Sequence, residues 1–313
     1  WRNCWHGCIK SSMAAWLCGR IALGWTPLPE PKIFFWAATM AVASAVCVLL
    51  SPVSAHILCA GAVSAAGLAF FPIVSIIDAE ERERLERFLR ACAWILVLLA
   101  VYQRLHGQAR PSASLFSPNV FAGAILLFLP IAVRAGDGAL AAGLLLCLWW
   151  TRCVGAWLGL SAALILHRRA VGGAAFWVGA AAGVVGLVVV YAKLQSPEVI
   201  ERLEWWHAAW RMAANAPWMA ACAGLWLAGL TGLLLPAPAV RRFGPAAVLI
   251  QGLADPTLAV PGVFWLFCVC AALAVPDSIR GLNIPLRRRF YICVLVIAAA
   301  GAAGWSVWAG THG

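Results

Sequence analysis

Charged residues are scarce in this sequence, and acidic residues are the scarcest of them. Of its 313 residues, 11% are charged and only 12 are Asp or Glu, whereas 64% are hydrophobic and the mean hydropathy is +0.88. Soluble domains carry about 25% charged residues, and a chain this apolar cannot bury its apolar surface in one soluble core. The scarcity of charge therefore excludes an ordinary soluble protein and predicts an integral membrane protein.

Apolar runs of helical length recur along the chain, whereas alternating strand patterns are missing. A membrane helix needs roughly 20 apolar residues, so we predict an all-α, polytopic integral membrane helix bundle of roughly nine or ten membrane helices. The bundle is expected to form a single membrane domain over residues 1–313. The predicted spans are 33–50, 56–77, 91–103, 119–134, 171–192, 257–275 and 290–310.

Two further segments and the first residue of the chain add to the predicted organisation. Residues 138–167 are interrupted by a polar TRC sequence, which predicts two short helices that meet at Thr151–Val154. The charged segment 78–90 carries acids and arginines at i to i+4 spacing, which predicts a solvated helical extension of a membrane helix. Because the chain begins with Trp1 rather than Met, we also expect an N-terminal truncation.

The twelve cysteines do not form the paired CxxC motifs of a zinc site. Cys4, His6 and Cys8 lie close together in CWHGC, without a second half at a zinc-like spacing. The basic residues behind the formal net charge of +11 lie almost entirely in loops beside apolar runs, where membrane topology explains them. We therefore predict no metal, no cofactor and no nucleic-acid partner.

The stretch RPSASLFSPNVFAGAILLFLP, residues 110–130, places turn formers at the mouth of an apolar helix. One interpretation is local: Pro118 suits the first turn, where a missing N–H costs nothing, and Ser117 or Asn119 can cap free amides. The stretch also resembles the F-G-N-P-N-x-x-A entry into a membrane helix in the O-antigen ligase and O-antigen polymerase family. Ser117 stands in place of that motif's first Asn.

Three later segments resemble motifs of the same family in the same order: WTRCVGAWLGL, ERLEWWHAAWRMAANAPW and AAVLIQGLADP. In the first, Cys153 and Val154 replace the family's Ser-Arg pair. In the last, Ala246 replaces its histidine. The resemblance covers about residues 100–275, and its apolar framework is retained more fully than its charged positions.

The resemblance implies a multi-pass protein of the bacterial inner (plasma) membrane that transfers a glycan from a polyprenyl-diphosphate carrier to a lipid or glycan acceptor. This chemistry needs guanidinium groups that neutralise the diphosphate and a base near the acceptor hydroxyl. The candidate catalytic residues are Arg152, Arg202, His207 and Asp255. The candidate substrate-binding residues are Arg110, Asn119, Trp206, Arg211 and Gln251.

Each candidate also has an ordinary structural interpretation. Arginines beside membrane helices commonly anchor topology, and tryptophans are favoured at the membrane interface. Because Val154 and Ala246 stand at the family's Arg and His positions, we expect weak or absent transferase activity. A non-catalytic relative that acts as a membrane scaffold or binds lipid-linked glycan is therefore the alternative. A transporter ranks third, since the predicted spans contain almost no charged residues.

Residues 217–236 are apolar enough to cross a membrane. Cytoplasmic loops of membrane proteins carry an excess of Lys and Arg. The numbers of Lys and Arg on the two sides of the membrane differ more if this segment does not cross. We therefore predict that 217–236 does not cross, and that Asn119, Arg152, Arg202 and Gln251 lie on one side of the membrane. The sequence leaves open the glycan, its acceptor, and whether the product is ligated or polymerised.

Overall fold

The computed structural model describes residues 79–115, 117–166, 217–234, 239–252 and 261–274, with scattered positions in 39–67 and 177–215 and at 258 and 260. All regular elements in these stretches are α-helices, as the sequence predicts. No helix among these residues combines the length and the apolarity that crossing a bilayer requires. The helices are α1 (Ala79–Leu105), α2 (Pro118–Arg134), α3 (Gly138–Thr151), α4 (Val154–Leu166), α5 (Pro217–Leu234), α6 (Ala239–Gly252) and α7 (Pro261–Ala274).

The chain divides into two compact units. One comprises Trp1–Asp78, Ala213–Pro236 and Val275–Gly313 and holds α5, whereas the other comprises Ala79–Met212 and Ala237–Ala274 and holds the remaining helices. The predicted single membrane domain stays a prediction. The predicted spans at 33–50, 56–77 and 171–192 are described only at scattered positions, and 290–310 lies outside the described residues.

Helix α2 lies at the centre of its unit and contacts α1, α3, α4, α6 and α7. Residues 120–132 of α2 are all buried. Ser117 is its N-cap, with extended backbone at φ −136° and ψ 137°, and the Ser117 Oγ accepts a hydrogen bond from the Asn119 N–H at 3.3 Å. Pro118 occupies the first helical position, so the local interpretation of this helix start is confirmed.

Helices α3 and α4 are separate, which confirms the predicted break at the TRC sequence. Helix α3 ends at Thr151, and Arg152 adopts a left-handed backbone with φ 51° and ψ 31°. The Arg152 N–H donates to the Trp149 carbonyl oxygen at 3.3 Å. A left-handed residue is a common helix stop, usually as glycine, and here it allows the chain to turn within two residues.

Helix α6 was not predicted: the sequence analysis placed no helix between 217–236 and 257–275. It is short and contains Pro245, which normally interrupts a helix. At Gly244 the backbone of α6 packs directly against α2. A Cβ added to Gly244 would lie only 2.5 Å from Pro130 Cγ and 2.7 Å from the Leu126 carbonyl oxygen. Close packing against α2 thus outweighs the low local helix propensity.

The start of α1 contacts the end of α2, and the loop after α1 contacts the end of α3, so α1, α2 and α3 alternate in direction and the two ends carry different side chains. The end that we call the acidic end, where acidic side chains lie beside arginines, holds the start of α1 and the α2–α3 turn. There, an ion pair joins Glu86 of α1 to Arg134 of α2, with side chains 18% and 22% exposed. The predicted helical extension at 78–90 is thus part of α1, although Glu86 pairs with another helix rather than with its i+4 neighbour. The opposite end, the loop end, holds residues 105–118 and 151–153.

Candidate functional site

Gln251, in the last turn of α6, links two other segments at the loop end. Its Nε2 donates to the Asn119 carbonyl oxygen at 3.0 Å and to the Cys153 Sγ at 3.6 Å. Gln251 has no exposed surface, and Cys153 is 2% exposed. Segments that lie 132 and 98 residues away along the chain therefore meet Gln251 at one buried point.

Arg110 reaches the same point from the loop between α1 and α2. Its Nε donates to the Thr151 carbonyl oxygen at 3.1 Å, and a terminal nitrogen donates to the Asn119 Oδ1 at 3.4 Å. Because Thr151 ends α3, the guanidinium satisfies a terminal carbonyl and complements the negative end of the helix dipole. We refer to Arg110, Asn119, Thr151, Cys153 and Gln251 as the loop-end cluster.

The turn between α3 and α4 is held locally by the Thr151 side chain, which is fully buried. Its Oγ1 donates to the Leu148 carbonyl oxygen at 2.7 Å and accepts from the Cys153 N–H at 3.4 Å. The hydroxyl therefore bridges the last turn of α3 and the first residue after the turn, which fixes where the Cys153 thiol lies.

Gly159 allows α4 and α6 to approach each other beside the cluster. A Cβ at this position would lie 2.3 Å from the Ala247 carbonyl oxygen and 3.3 Å from the Gln251 backbone nitrogen. The first distance is a clash with backbone, which a flexible side chain cannot relieve, so no larger residue fits without separating the helices. The last glycine of WTRCVGAWLGL thus determines how closely Gln251 can approach α4.

The loop that carries Arg110 is held by Gln103 of α1, a residue that the sequence analysis did not single out. The Gln103 Oε1 accepts from the N–H groups of Ser112 and Ala113 at 3.0 and 2.9 Å. Its Nε2 donates to the Ala113 carbonyl oxygen at 2.7 Å. The only sequence signal was an amide side chain near the end of an apolar run.

Arg152 lies next to the cluster in sequence, but its guanidinium does not join it. The side chain is exposed and makes no hydrogen bond or ion pair with any described residue. Trp149 and Trp157 flank this turn, and their rings meet edge to face at 6.4 Å. The guanidinium within the cluster is that of Arg110, which was predicted from the sequence as a substrate-binding residue.

The remaining candidates do not extend the cluster. Trp206, His207 and Arg211 are exposed and form no hydrogen bond or ion pair with the residues that the structure describes. Arg202 and Asp255 lie outside the described residues. The structure thus brings together Arg110 and Asn119 of the first motif and Gln251 of the last.

The chemistry of the loop-end cluster favours the binding of anions and hydroxyl groups. It contains a guanidinium, two carboxamides, a hydroxyl and a thiol, and none of its members is a carboxylate or an imidazole. Arg104 and Arg152 lie at the same end, and the described residues of 105–118 and 151–153 include no acidic side chain. These residues therefore contribute a positive field. Among the described residues, no group of His, Cys, Asp and Glu side chains is arranged to hold a metal ion.

Comparisons of the chain with known protein families, with curated proteins and with solved structures find no match. Membership of the O-antigen ligase and polymerase family therefore stays a prediction, which rests on the four sequence motifs. The geometry of the cluster is an independent observation, because it would hold whatever family the chain belonged to.

Proposed function

We propose that this chain is a divergent membrane protein of the O-antigen ligase and polymerase type. It would bind a polyprenyl-diphosphate-linked glycan at the loop end and transfer the glycan to a lipid or glycan acceptor. The observation that carries the proposal is the contact of Gln251 with Asn119 and Cys153. This contact joins three of the four segments in which the resemblance lies, as expected if those segments contribute to one site.

A membrane setting is supported by composition and by the outer face of α1. Large side chains that recur along this face are each at least 58% exposed: Phe88, Ile95, Leu98, Tyr102 and Leu105. Their spacing of three, four or seven residues places them on one stripe of the helix. A contiguous apolar stripe of this size marks an interaction or membrane surface. We place the protein in the bacterial inner membrane as a multi-pass protein, with lipid covering this stripe.

Arg110 is the residue that we assign to the diphosphate. It is partly buried in a loop that contains no acidic residue, and the Thr151 and Asn119 oxygens orient its guanidinium. A guanidinium matches phosphate geometry, and such a contact in a water-poor site contributes on the order of 2 to 4 kcal/mol. Arg110 can therefore supply part of the stabilisation that the family's missing arginine at Val154 would have given.

The transfer step is the attack of an acceptor hydroxyl on the anomeric carbon of the donor sugar. The bond from that carbon to the diphosphate oxygen breaks, and the hydroxyl proton passes to a base. We assign the base to Asp255, which follows the C-terminus of α6 and hence Gln251 in the sequence. The leaving diphosphate keeps the bonding electron pair, and its growing charge is stabilised by Arg110.

A non-catalytic relative that binds lipid-linked glycan is the second candidate, and one observation favours it. The loop-end cluster itself holds no carboxylate or imidazole that would accept the hydroxyl proton. Val154 begins α4 and Ala246 lies within α6, so the family's charged positions are occupied by small apolar side chains. In this case the loop end would bind the donor but would not transfer its glycan.

The test is to measure donor binding and glycan transfer by the purified chain in lipid nanodiscs, with a radiolabelled polyprenyl-diphosphate-linked glycan. We expect Arg110→Ala to weaken donor binding about tenfold or more. Arg87→Ala, an exposed arginine at the acidic end, serves as the matched control and should bind normally.

Transfer is expected to be slow, by roughly a hundredfold to a thousandfold relative to an enzyme that has the family's arginine. A Cys153→Ser, Val154→Arg, Ala246→His triple variant restores the family residues. Donor binding without transfer by the unaltered chain, with transfer by the triple variant, would favour the non-catalytic candidate. Failure of both chains to bind the donor would contradict the proposed function.

A further inference from the structure

Gln103 satisfies both backbone groups of one loop residue. The described residues of the loop between Leu105 and Pro118 belong to no helix or strand, so their backbone polar groups need other partners. At Ala113 the Gln103 carboxamide accepts from the N–H and donates to the carbonyl oxygen, and it also accepts from the Ser112 N–H. One side chain from α1 thus makes three hydrogen bonds to two successive loop residues.

The backbone of Ala113 has an unusual conformation, which these hydrogen bonds support. Its φ is 51°, in the left-handed region, although it is not a glycine. This region is unfavourable for an L-residue, and strained residues persist where the surrounding structure determines them. Ala113 is 8% exposed, so water does not compete effectively for its backbone groups.

The loop held in this way carries the charged group of the cluster. Arg110 lies three residues before Ala113 in the sequence, and its guanidinium contacts both Thr151 and Asn119. Both contacts require the Arg110 backbone to lie in one place, because the carbonyl oxygen at the end of α3 and the amide at the start of α2 are fixed by buried helices. A loop free to move would lose both contacts together.

We infer that Gln103 is a positioning residue that holds the 106–117 loop where the Arg110 guanidinium reaches the loop-end cluster. The consequence for ligand binding rests on the proposed function, whereas the placement of Arg110 does not. Gln103 lies on α1 and acts through the loop backbone, so it need not touch the donor.

The first test follows the placement of Arg110 without any ligand. The chain is modified with phenylglyoxal, which reacts with accessible arginines, and the rate at each arginine is read by peptide mass spectrometry. Gln103→Leu should make Arg110 react about tenfold faster, since hydrogen bonds that restrained its loop are lost. The rate at the exposed Arg152 in the same sample is the internal standard and should not change.

Two further variants serve as the control and the conservative change for the phenylglyoxal test. Gln108→Leu makes the same chemical change at an exposed position of the same loop, and it should leave the Arg110 rate unchanged. Gln103→Glu keeps both acceptor bonds and loses only the donated one, so its Arg110 rate should stay closer to that of the unaltered chain. An Arg110 rate unaffected by either Gln103 variant would overturn the inference.

The second test measures binding of a short-chain polyprenyl diphosphate. Gln103→Leu and Arg110→Ala should each weaken binding about tenfold, and the double variant should be no weaker than Arg110→Ala alone, since both act on one group. Additive losses would overturn the role of Gln103. If the unaltered chain does not bind this probe, the proposed function fails, while the phenylglyoxal rates still decide whether Gln103 positions Arg110.

Discussion

The side-chain amide nitrogen of Gln251 lies 3.0 Å from the carbonyl oxygen of Asn119, and it joins the last turn of α6 to the first turn of α2. The same nitrogen contacts the Cys153 thiol, and Gln251 has no exposed surface. In a buried, low-dielectric setting a hydrogen bond is strengthened, and the loss of either partner is costly. The contact therefore specifies how three distant segments fit together.

Replacement of Gln251 by Leu should destabilise the fold. The Asn119 carbonyl would lose this buried donor, so we expect the free energy of unfolding to fall by about 1 to 3 kcal/mol. The measurement is denaturant unfolding in detergent, followed by tryptophan fluorescence. Gln108→Leu changes an exposed glutamine and should stay within about 0.5 kcal/mol of the unaltered chain. Equal effects of the two variants would show that the Gln251 contact contributes nothing to stability.

Gly159→Ala should separate α4 from α6. The added Cβ would meet the Ala247 carbonyl oxygen at 2.3 Å, so the helices must move apart, at a cost of about 1 to 3 kcal/mol. Gly224→Ala provides the control, because nothing lies within 4 Å of an added Cβ at that helical position. This control should stabilise the chain by up to about 1 kcal/mol. A Gly159→Ala chain as stable as the unaltered one would mean that this close packing is not required.

The Arg152→Gly variant tests two properties of Arg152 independently: the effect of its backbone on stability and the effect of its guanidinium on donor binding. The backbone of Arg152 is left-handed at φ 51°, so glycine should stabilise the chain by roughly 1 kcal/mol. Gly136→Ala makes the reverse change at φ 69° and should destabilise by a similar amount. Donor binding is measured on the same protein. Weaker binding by a stabilised Arg152→Gly chain would support the donor contact predicted from the sequence.

The proposed membrane setting predicts which engineered cysteines react from each side. Ser114 and Arg152 are exposed at the loop end, and Glu83 is exposed at the acidic end. With about 1.5 Å of rise per residue, the 27 residues of α1 extend about 40 Å, and the proposed membrane setting places its charged start and the loop end on opposite sides. In sealed vesicles of one orientation, an impermeant maleimide should label Ser114→Cys and Arg152→Cys together and leave Glu83→Cys unlabelled. Labelling of all three would contradict a bundle that crosses the membrane between these ends.

Several elements could be predicted from the sequence because their signals are local. The capping residues Ser117 and Pro118 mark the start of α2, and the polar TRC sequence marks the turn between α3 and α4. In each case the interaction that stabilises the element lies within a few residues of the signal. Residues 217–234 form a helix, and the prediction that this segment does not cross a membrane stays a prediction.

Other features depend on contacts that no local pattern contains. Helix α6 contains Pro245, and its stability comes from packing against α2 and α4, as the close approaches of Gly244 and Gly159 show. From the sequence, Arg152 was predicted as a catalytic residue and Arg110 as a substrate-binding residue. The structure instead places Arg110 in the cluster, since Gln103 holds its loop.

By itself, the sequence determined the apolar composition, the all-helical class and the positions where α2 begins and α3 ends. These follow from hydropathy and from interactions between neighbouring residues. Only the tertiary structure decided that Asn119, Cys153 and Gln251 meet, and that Arg110 supplies the guanidinium at that point. The physical reason is distance along the chain: these contacts span up to 132 residues, and they form only when the packing of whole helices brings their ends together.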